Sequence, residues 1–407
     1  MVWKFLDTTK EPNARLHAEM SERIADWWKE FAEKKSDIEK FLRSELDWNI
    51  DEWMTTALQV VDEEIMWEFG AEISGDYQLI ITPESERQLR PLVNSIIEQA
   101  PQIASWRFYA YRQPQNFSDT EDIVLDRTGI KISDMKAIVQ AGDGNLVDVL
   151  FVSSNFKPAK EETFTHAAFL TTEYSLGEEI LDNWIGAVQV VSPTDPIVSD
   201  LDAEDYANLM DLPNLALREI NNIRAELPAK QIYQLKESLQ RADFSLEPEK
   251  SDDYAERLDM VAASTLLPEM WKSAHSGFPF DSVRFSRHGE RFCYLKMDGQ
   301  DSYANSAQSR DRLAKTLDEK LAEANLGCTI GGAGGLRYSY IDLCLTDVES
   351  SLPVIRKVMQ YEHMPNRSWL LFFDADWSDE WVGIFPETPT PPTVKEFATT
   401  GSSSDND

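Results

Sequence analysis

The feature that most constrains this chain is an order of elements that it runs through twice. In the first pass Val93, Ile96 and Ile97 follow Pro91, Ala100-Pro101 closes a helix, and Ser105-Trp106-Arg107-Phe108-Tyr109 follows as an aromatic strand. In the second, Ile355, Val358 and Met359 follow Pro353 at the same intervals. Met364-Pro365 then closes the helix and Ser368-Trp369-Leu370-Leu371-Phe372 takes the strand position. Matching elements at matching spacing predict two related modules, each a helix, a strand-turn-strand, a Pro-containing helix and a final strand.

The periodicity around these echoes divides the chain. Ile24, Trp27, Trp28 and Phe31, then Ile38, Phe41, Leu42 and Leu46, recur at helical spacing, and Ser36-Asp37-Ile38-Glu39 offers a capping box. Residues 1–50 are therefore expected to form N-terminal helices. The first module spans 51–198, with a helix face on Met54, Ala57, Leu58, Val61 and Ile65 and a hairpin turning near Ser74-Gly75-Asp76. Pro91 implies either a late helix start or a kink. Within the same span, Gly142-Asp143-Gly144-Asn145 between two apolar runs signals another hairpin, either a small unit or an extension of the first sheet. Residues 199–274 read as a charged helical connector, 275–387 as the second module and 388–407 as a disordered tail. The expected class is α+β, with mainly antiparallel sheets covered by helices.

Composition bounds the function. With 72 Asp and Glu against 39 Lys and Arg the formal charge is −33. Such a chain repels nucleic-acid phosphates and anionic lipid, so the partners expected are neither nucleic acid nor membrane. It attracts a basic protein. The start meets charge at Lys4 and Asp7 before a signal-like apolar core forms, and no run approaches membrane-spanning length, which points to a cytoplasmic protein. Cys293, Cys328 and Cys344 are an odd number at wide spacing and read as buried, reduced thiols.

Few residues offer chemistry. Gly331-Gly332-Ala333-Gly334-Gly335 lacks the Lys and the following helix of a phosphate cradle, and reads as a glycine hairpin or a close backbone crossing rather than a ligand-facing loop. Asp374 and Asp376 form a DxD pair at the end of an apolar strand, where paired carboxylates could hold Mg²⁺ or Mn²⁺. The competing reading is an acidic, solvated turn. The five histidines form no ligand pair, and Glu178-Glu179 reads as the start of a helix, where carboxylates favour the positive dipole end.

Trp67-Glu68-Phe69-Gly70, Leu79-Ile80-Ile81-Thr82, Ala100-Pro101 and Trp106 through Arg112 resemble a pattern in bacterial proteins of unknown function. Gly331 to Leu345 resembles a second such pattern, also in uncharacterised bacterial proteins. The resemblance implies a bacterial cytosolic origin and assigns no catalytic residue or cofactor. The functional expectation is a non-catalytic acidic binding protein, of the immunity or inhibitor type, directed at a basic protein. The alternative is a metal-dependent phosphoryl- or glycosyl-transfer enzyme using Asp374 and Asp376.

Overall fold

Apolar spacing along this chain switches repeatedly between helical and strand periods, and the elements switch with it. The computed structural model describes residues 11–71, 76–199, 201, 202, 206–299 and 307–392. The expected turn at Ser74-Gly75 and most of the expected disordered tail lie outside the described residues. Two compact units emerge, Met20–Leu227 and Pro228–Asp407, the latter grouped with Met1–Glu19.

In the unit Met20–Leu227, α1 (Glu11–Leu42) is one continuous helix. Ser36 lies inside it, so the expected capping box starts no helix. The two apolar stripes are in phase, Phe31 and Ile38 falling seven residues apart on one face, and no Gly or Pro interrupts them. Trp28 donates through Nε1 to the Ile96 carbonyl at 2.8 Å, and Phe31 meets Trp106 edge to face at 5.1 Å. The apolar stripes expected of the N-terminal helices thus pack on the first module.

That module runs α2 (Ile50–Gln59), β1 (Met66–Ala71), β2 (Tyr77–Thr82), α3 (Arg90–Glu98) and β3 (Trp106–Tyr109). β1 and β2 form an antiparallel hairpin, and the α3 crossover returns β3 parallel to β2. Pro91 occupies the first turn of α3, where its missing N–H leaves no bond unmade. The late start is the correct alternative.

The same order then recurs. α4 (Phe117–Thr128), β4 (Met135–Ala141), β5 (Val147–Ser153), α5 (Glu161–Leu176), α6 (Glu178–Trp184) and β6 (Ile185–Val191) give a hairpin whose crossover returns β6 parallel to β5. β7 (Ala207–Asn208) pairs with the far side of β4, making a separate sheet ordered β6-β5-β4-β7, and α7 (Leu212–Glu226) packs against it. The hairpin around Gly144 is therefore a module of its own.

The other unit holds α8 (Ile232–Leu235), β8 (Ala242–Ser245), β9 (Met260–Thr265), α9 (Pro268–Ala274), β10 (Arg291–Asp298), α10 (Ala307–Glu323), β11 (Gly327–Gly335), β12 (Tyr338–Leu345), α11 (Val348–Tyr361), β13 (Ser368–Phe372) and β14 (Trp381–Gly383). Its sheet is ordered β14-β13-β10-β12-β11-β9-β8, every neighbouring pair antiparallel. The centre is a split β-α-β arrangement, in which α10 and α11 each connect parallel strands that another strand separates. Relative to the first module, β10 is inserted between the strands that α11 joins. The sequence echo therefore marks a shared order of elements with a different strand adjacency. Pro353 lies inside α11, whereas Pro91 lies at a helix start, so the two prolines are not equivalent.

The expected helical connector, 199–274, is divided between the units. Its α7 belongs to the first, and its β8 and β9 extend the seven-stranded sheet of the second. Sequence periodicity hides these strands because β8 has four residues and β9 reads Met-Val-Ala-Ala-Ser-Thr, with little large apolar content.

Arg90 and Glu178 link the halves of the first unit. Both are buried, at 1% and 4% side-chain exposure, and Arg90 donates to Glu178 at 2.9 Å and to Asp182 at 3.0 Å. Glu178 also accepts from Thr82 and, at 2.9 Å, from the Arg112 amide. Arg90→Met leaves a buried carboxylate without its main partner and is expected to lower the unfolding free energy by about 3–5 kcal/mol in urea titration. The double variant Arg90→Met/Glu178→Met should recover at least half of that loss. A single-variant loss below about 1 kcal/mol would show that the pair contributes no more than a surface bridge.

Candidate functional site

The DxD pair is built into the fold. Asp374 lies two residues beyond the end of β13, buried, and accepts from the Ser282 amide and hydroxyl at 2.7 Å each and from Arg291 at 3.1 Å. Both of its oxygens are therefore engaged by protein donors, and Arg291 in turn stacks over Trp377 at 4.3 Å. Asp376 lies half-buried in the short helical turn Ala375–Trp377. Nearby, Asp281 caps a second short helical turn, Ser282–Arg284, its carboxyl raised to about 6 by burial and by the Asp374 charge. Among the described residues no group of three or more His, Cys, Asp or Glu is placed to hold a metal ion.

The glycine-rich segment is strand, not hairpin. Gly331 to Gly335 complete β11 between β9 and β12, after a bulge between Thr329 and Gly331. A Cβ at Gly331 would stand 2.2 Å from the Ser264 carbonyl oxygen, and one at Gly332 would stand 2.4 Å from that of Tyr340. Close backbone approach on both sides explains the composition. Cys293, Cys328 and Cys344 are free and buried, and burial pushes each thiol up. His275 stacks on Trp271 at 4.1 Å and is held below its ordinary value, first by burial.

In the unit Met20–Leu227 the chain shows a surface that periodicity alone does not reveal. Between Arg43 and Arg87 it carries twelve Asp or Glu and no Lys, Arg or His. Glu45 is held by Arg43 and Glu68 by Arg112, but Asp47, Asp51, Glu63 and Glu64 stand exposed with no ion pair among the described residues. Trp48 and Trp53 are half-buried with rings 5.1 Å apart, and Val60 and Met66 are 58% and 48% exposed. β1, bearing Trp67 and Phe69, is an edge strand. The signal available in the sequence was the length of chain without a cation.

The face of the seven-stranded sheet opposite α10 and α11 is buried, with charged and polar groups set among aromatic rings. Tyr338, Tyr340 and Asp342 alternate along β12, beside Lys296 on β10. Asp342 pairs with Arg257, Tyr340 donates to Asp259 at 2.5 Å, and Lys296 donates to the Tyr254 carbonyl at 2.6 Å while lying 4.1 Å over the Tyr338 ring. Asp259 also accepts from the Arg337 and Tyr338 amides at 2.8 and 2.7 Å.

Burial lowers the Lys296 ammonium from 10.5 to about 8, against the pull of Asp259 and Asp253. Between these values the unfolded chain binds more protons than the folded one, so this group's contribution to stability rises with pH. Buried thiols and phenols act in the opposite direction but are common to wild type and a Lys296→Met variant. Wild type should therefore gain roughly 2 kcal/mol on Lys296→Met between about pH 7.5 and about pH 9.5 in urea unfolding. A constant difference between the two would show that the ammonium is fully compensated where it lies.

Compared with known proteins, the chain matches no family model, no curated protein and no solved structure.

Proposed function

We propose that the protein is a non-catalytic binding protein of the cytoplasm, and that a basic protein docks on its acidic, tryptophan-bearing surface between Arg43 and Arg87. The observation carrying this reading is that the segment exposes unpaired carboxylates at both ends of α2 beside half-buried indoles, with no cation of its own. Carboxylates around a core of aromatic side chains match the composition that recognises Lys- and Arg-rich surfaces, through charge at the rim and ring stacking at the centre. The −33 formal charge steers a basic partner from a distance and repels nucleic acid. The three free, buried thiols fit a reducing compartment. No helix among the described residues is long and apolar enough to cross a membrane. The carboxylate best placed for metal-dependent chemistry, Asp374, is held by Ser282 and Arg291, so no specific observation favours the enzymatic alternative.

A Lys/Arg-rich peptide is expected to bind the full chain and to quench its tryptophan fluorescence, with an affinity that falls as salt is added. Asp47→Asn/Asp51→Asn/Glu63→Gln/Glu64→Gln removes four unpaired charges, each worth up to ~1 kcal/mol at an interface rim, and should weaken binding by about tenfold or more. A control variant neutralising the exposed Asp122, Asp126, Glu161 and Glu162 should bind nearly as wild type. Equal weakening by the two sets would mean that net charge alone attracts the peptide and that this surface is not the site.

A further inference from the structure

One cleft of about 210 Å³, within the unit Pro228–Asp407, reverses the acidic balance of the chain. Lys236, Arg241 and Arg310 line it, and Asp311 is the one carboxylate among its described lining residues. Two of these cations already have work in the fold. Lys236 pairs with Asp318 and donates to Thr329 Oγ1 at 2.8 Å, and Arg241 pairs with Asp243 and donates to Ser264 Oγ at 2.8 Å.

Arg310 is different. Its side chain is 23% exposed, and its one charge contact among the described residues is Asp311 at 4.0 Å, beyond hydrogen-bond reach. A guanidinium has five N–H donors, and removing them from water without acceptors is unfavourable. The strand below makes room for it. A Cβ at Gly334 would stand 3.0 Å from Arg310 Nη1, so glycine at that position lets the guanidinium approach the sheet. The bulge between Thr329 and Gly331 opens the adjacent backbone, and Ser264, Thr265 and Thr329 add hydroxyls to the lining.

We infer that this cleft binds a small phosphate monoester, its phosphoryl oxygens on Arg310 and its short organic body against Leu266 and Ala314. The five N–H donors of Arg310 and the Ser264 hydroxyl, with the charges of Lys236 and Arg241 beside them, offer more than the two oxygens of a carboxylate can take, whereas a phosphoryl group presents three acceptor oxygens. The planar guanidinium fork matches that head group. At about 210 Å³ the space falls below the ~300 Å³ at which drug-sized sites begin, which suits a short organic body. This inference is independent of the acidic surface, which belongs to the other unit.

Calorimetric titration of the full chain with n-butyl phosphate, inorganic phosphate and butyrate tests it. Butyl phosphate should bind most tightly, because it alone supplies both the phosphoryl head and the apolar body. Arg310→Met should weaken butyl phosphate by about tenfold or more while leaving the unliganded melting temperature unchanged, since the guanidinium makes no hydrogen bond among the described residues. If that variant fails to fold, Arg310→Lys keeps the charge without the fork and should weaken binding severalfold. The inference is overturned by an absence of heat with butyl phosphate up to about 10 mM. Butyrate binding as tightly as butyl phosphate, or an Arg310 variant binding as tightly as wild type, would overturn it equally.

Discussion

Asp342 stands in the middle of the central strand of the larger sheet, 2% exposed, and its pairing with Arg257 governs how the second face of that sheet is closed. The helix face needs no such device. Cys293, Leu295 and Met297 of β10 meet Leu313, Leu317 and Leu321 of α10 and Ile355 and Met359 of α11 in an apolar layer. Because side chains alternate along a strand, packing that layer commits Tyr294, Lys296, Tyr340 and Asp342 to the other side. A carboxylate and an ammonium there can remain buried only if cations, acceptors and rings are brought to them. Residues 254–259 supply these, with Arg257 within 5.2 Å of the Tyr294, Tyr340 and Phe373 ring centroids and Asp259 collecting three donors. Gly335 admits Asp259, since a Cβ there would fall 2.2 Å from the carboxylate.

This requirement also explains which parts of the fold were legible in the sequence. Helix stripes such as Val93-Ile96 and Ile355-Val358 and the hairpin at Gly144 are local signals, because neighbouring residues alone set the period. The class, α+β with mainly antiparallel pairing, follows from them, and nine of the eleven strand pairs are antiparallel, β2-β3 and β5-β6 being the exceptions. The insertion of β10 between β12 and β13 is non-local and leaves no mark in the spacing around Pro353. β8 and β9 escaped notice because they complete an existing sheet and need little apolar content of their own. Ser36 has the residue types of a helix start, but the in-phase stripe from Phe31 to Ile38 prevails over the local cap. The candidate site was less legible still. The acidic segment is defined by what it lacks, and the cleft at Arg310 gathers residues from 236 to 341, of which only Gly331 and Gly332 belong to a segment that stands out in the sequence.

Internal pairing sharpens the surface charge. Arg90, Arg112, Arg257, Arg337 and Arg367 lie in networks with Glu178, Glu173, Asp342, Asp298 and Asp253, so a part of the basic complement is turned inward. Each of these cations neutralises acids that are themselves largely buried. The remaining excess falls on exposed positions, and in the segment from Arg43 to Arg87 the neighbouring Arg43, Arg107 and Arg112 offset only Glu45, Glu68, Asp76 and Glu84 among the described residues. A formal charge of −33 therefore understates how one-sided that surface is.

An edge strand flanked by carboxylates serves two ends at once. β1 leaves one side unpaired in its sheet, and a bare edge bearing Trp67 and Phe69 would be prone to pair with a second copy of itself. Glu63 and Glu64, just ahead of β1 in the chain, place negative charge beside that edge, so two copies approaching one another meet like charge at short range. The same carboxylates present no barrier to a chain rich in Lys and Arg. A feature that disfavours self-association thereby favours a basic partner, and the discrimination between the two arises from the sign of charge rather than from the shape of the strand. On the proposed reading, leaving Asp47, Asp51, Glu63 and Glu64 without an ion pair among the described residues is the physical counterpart of that selectivity.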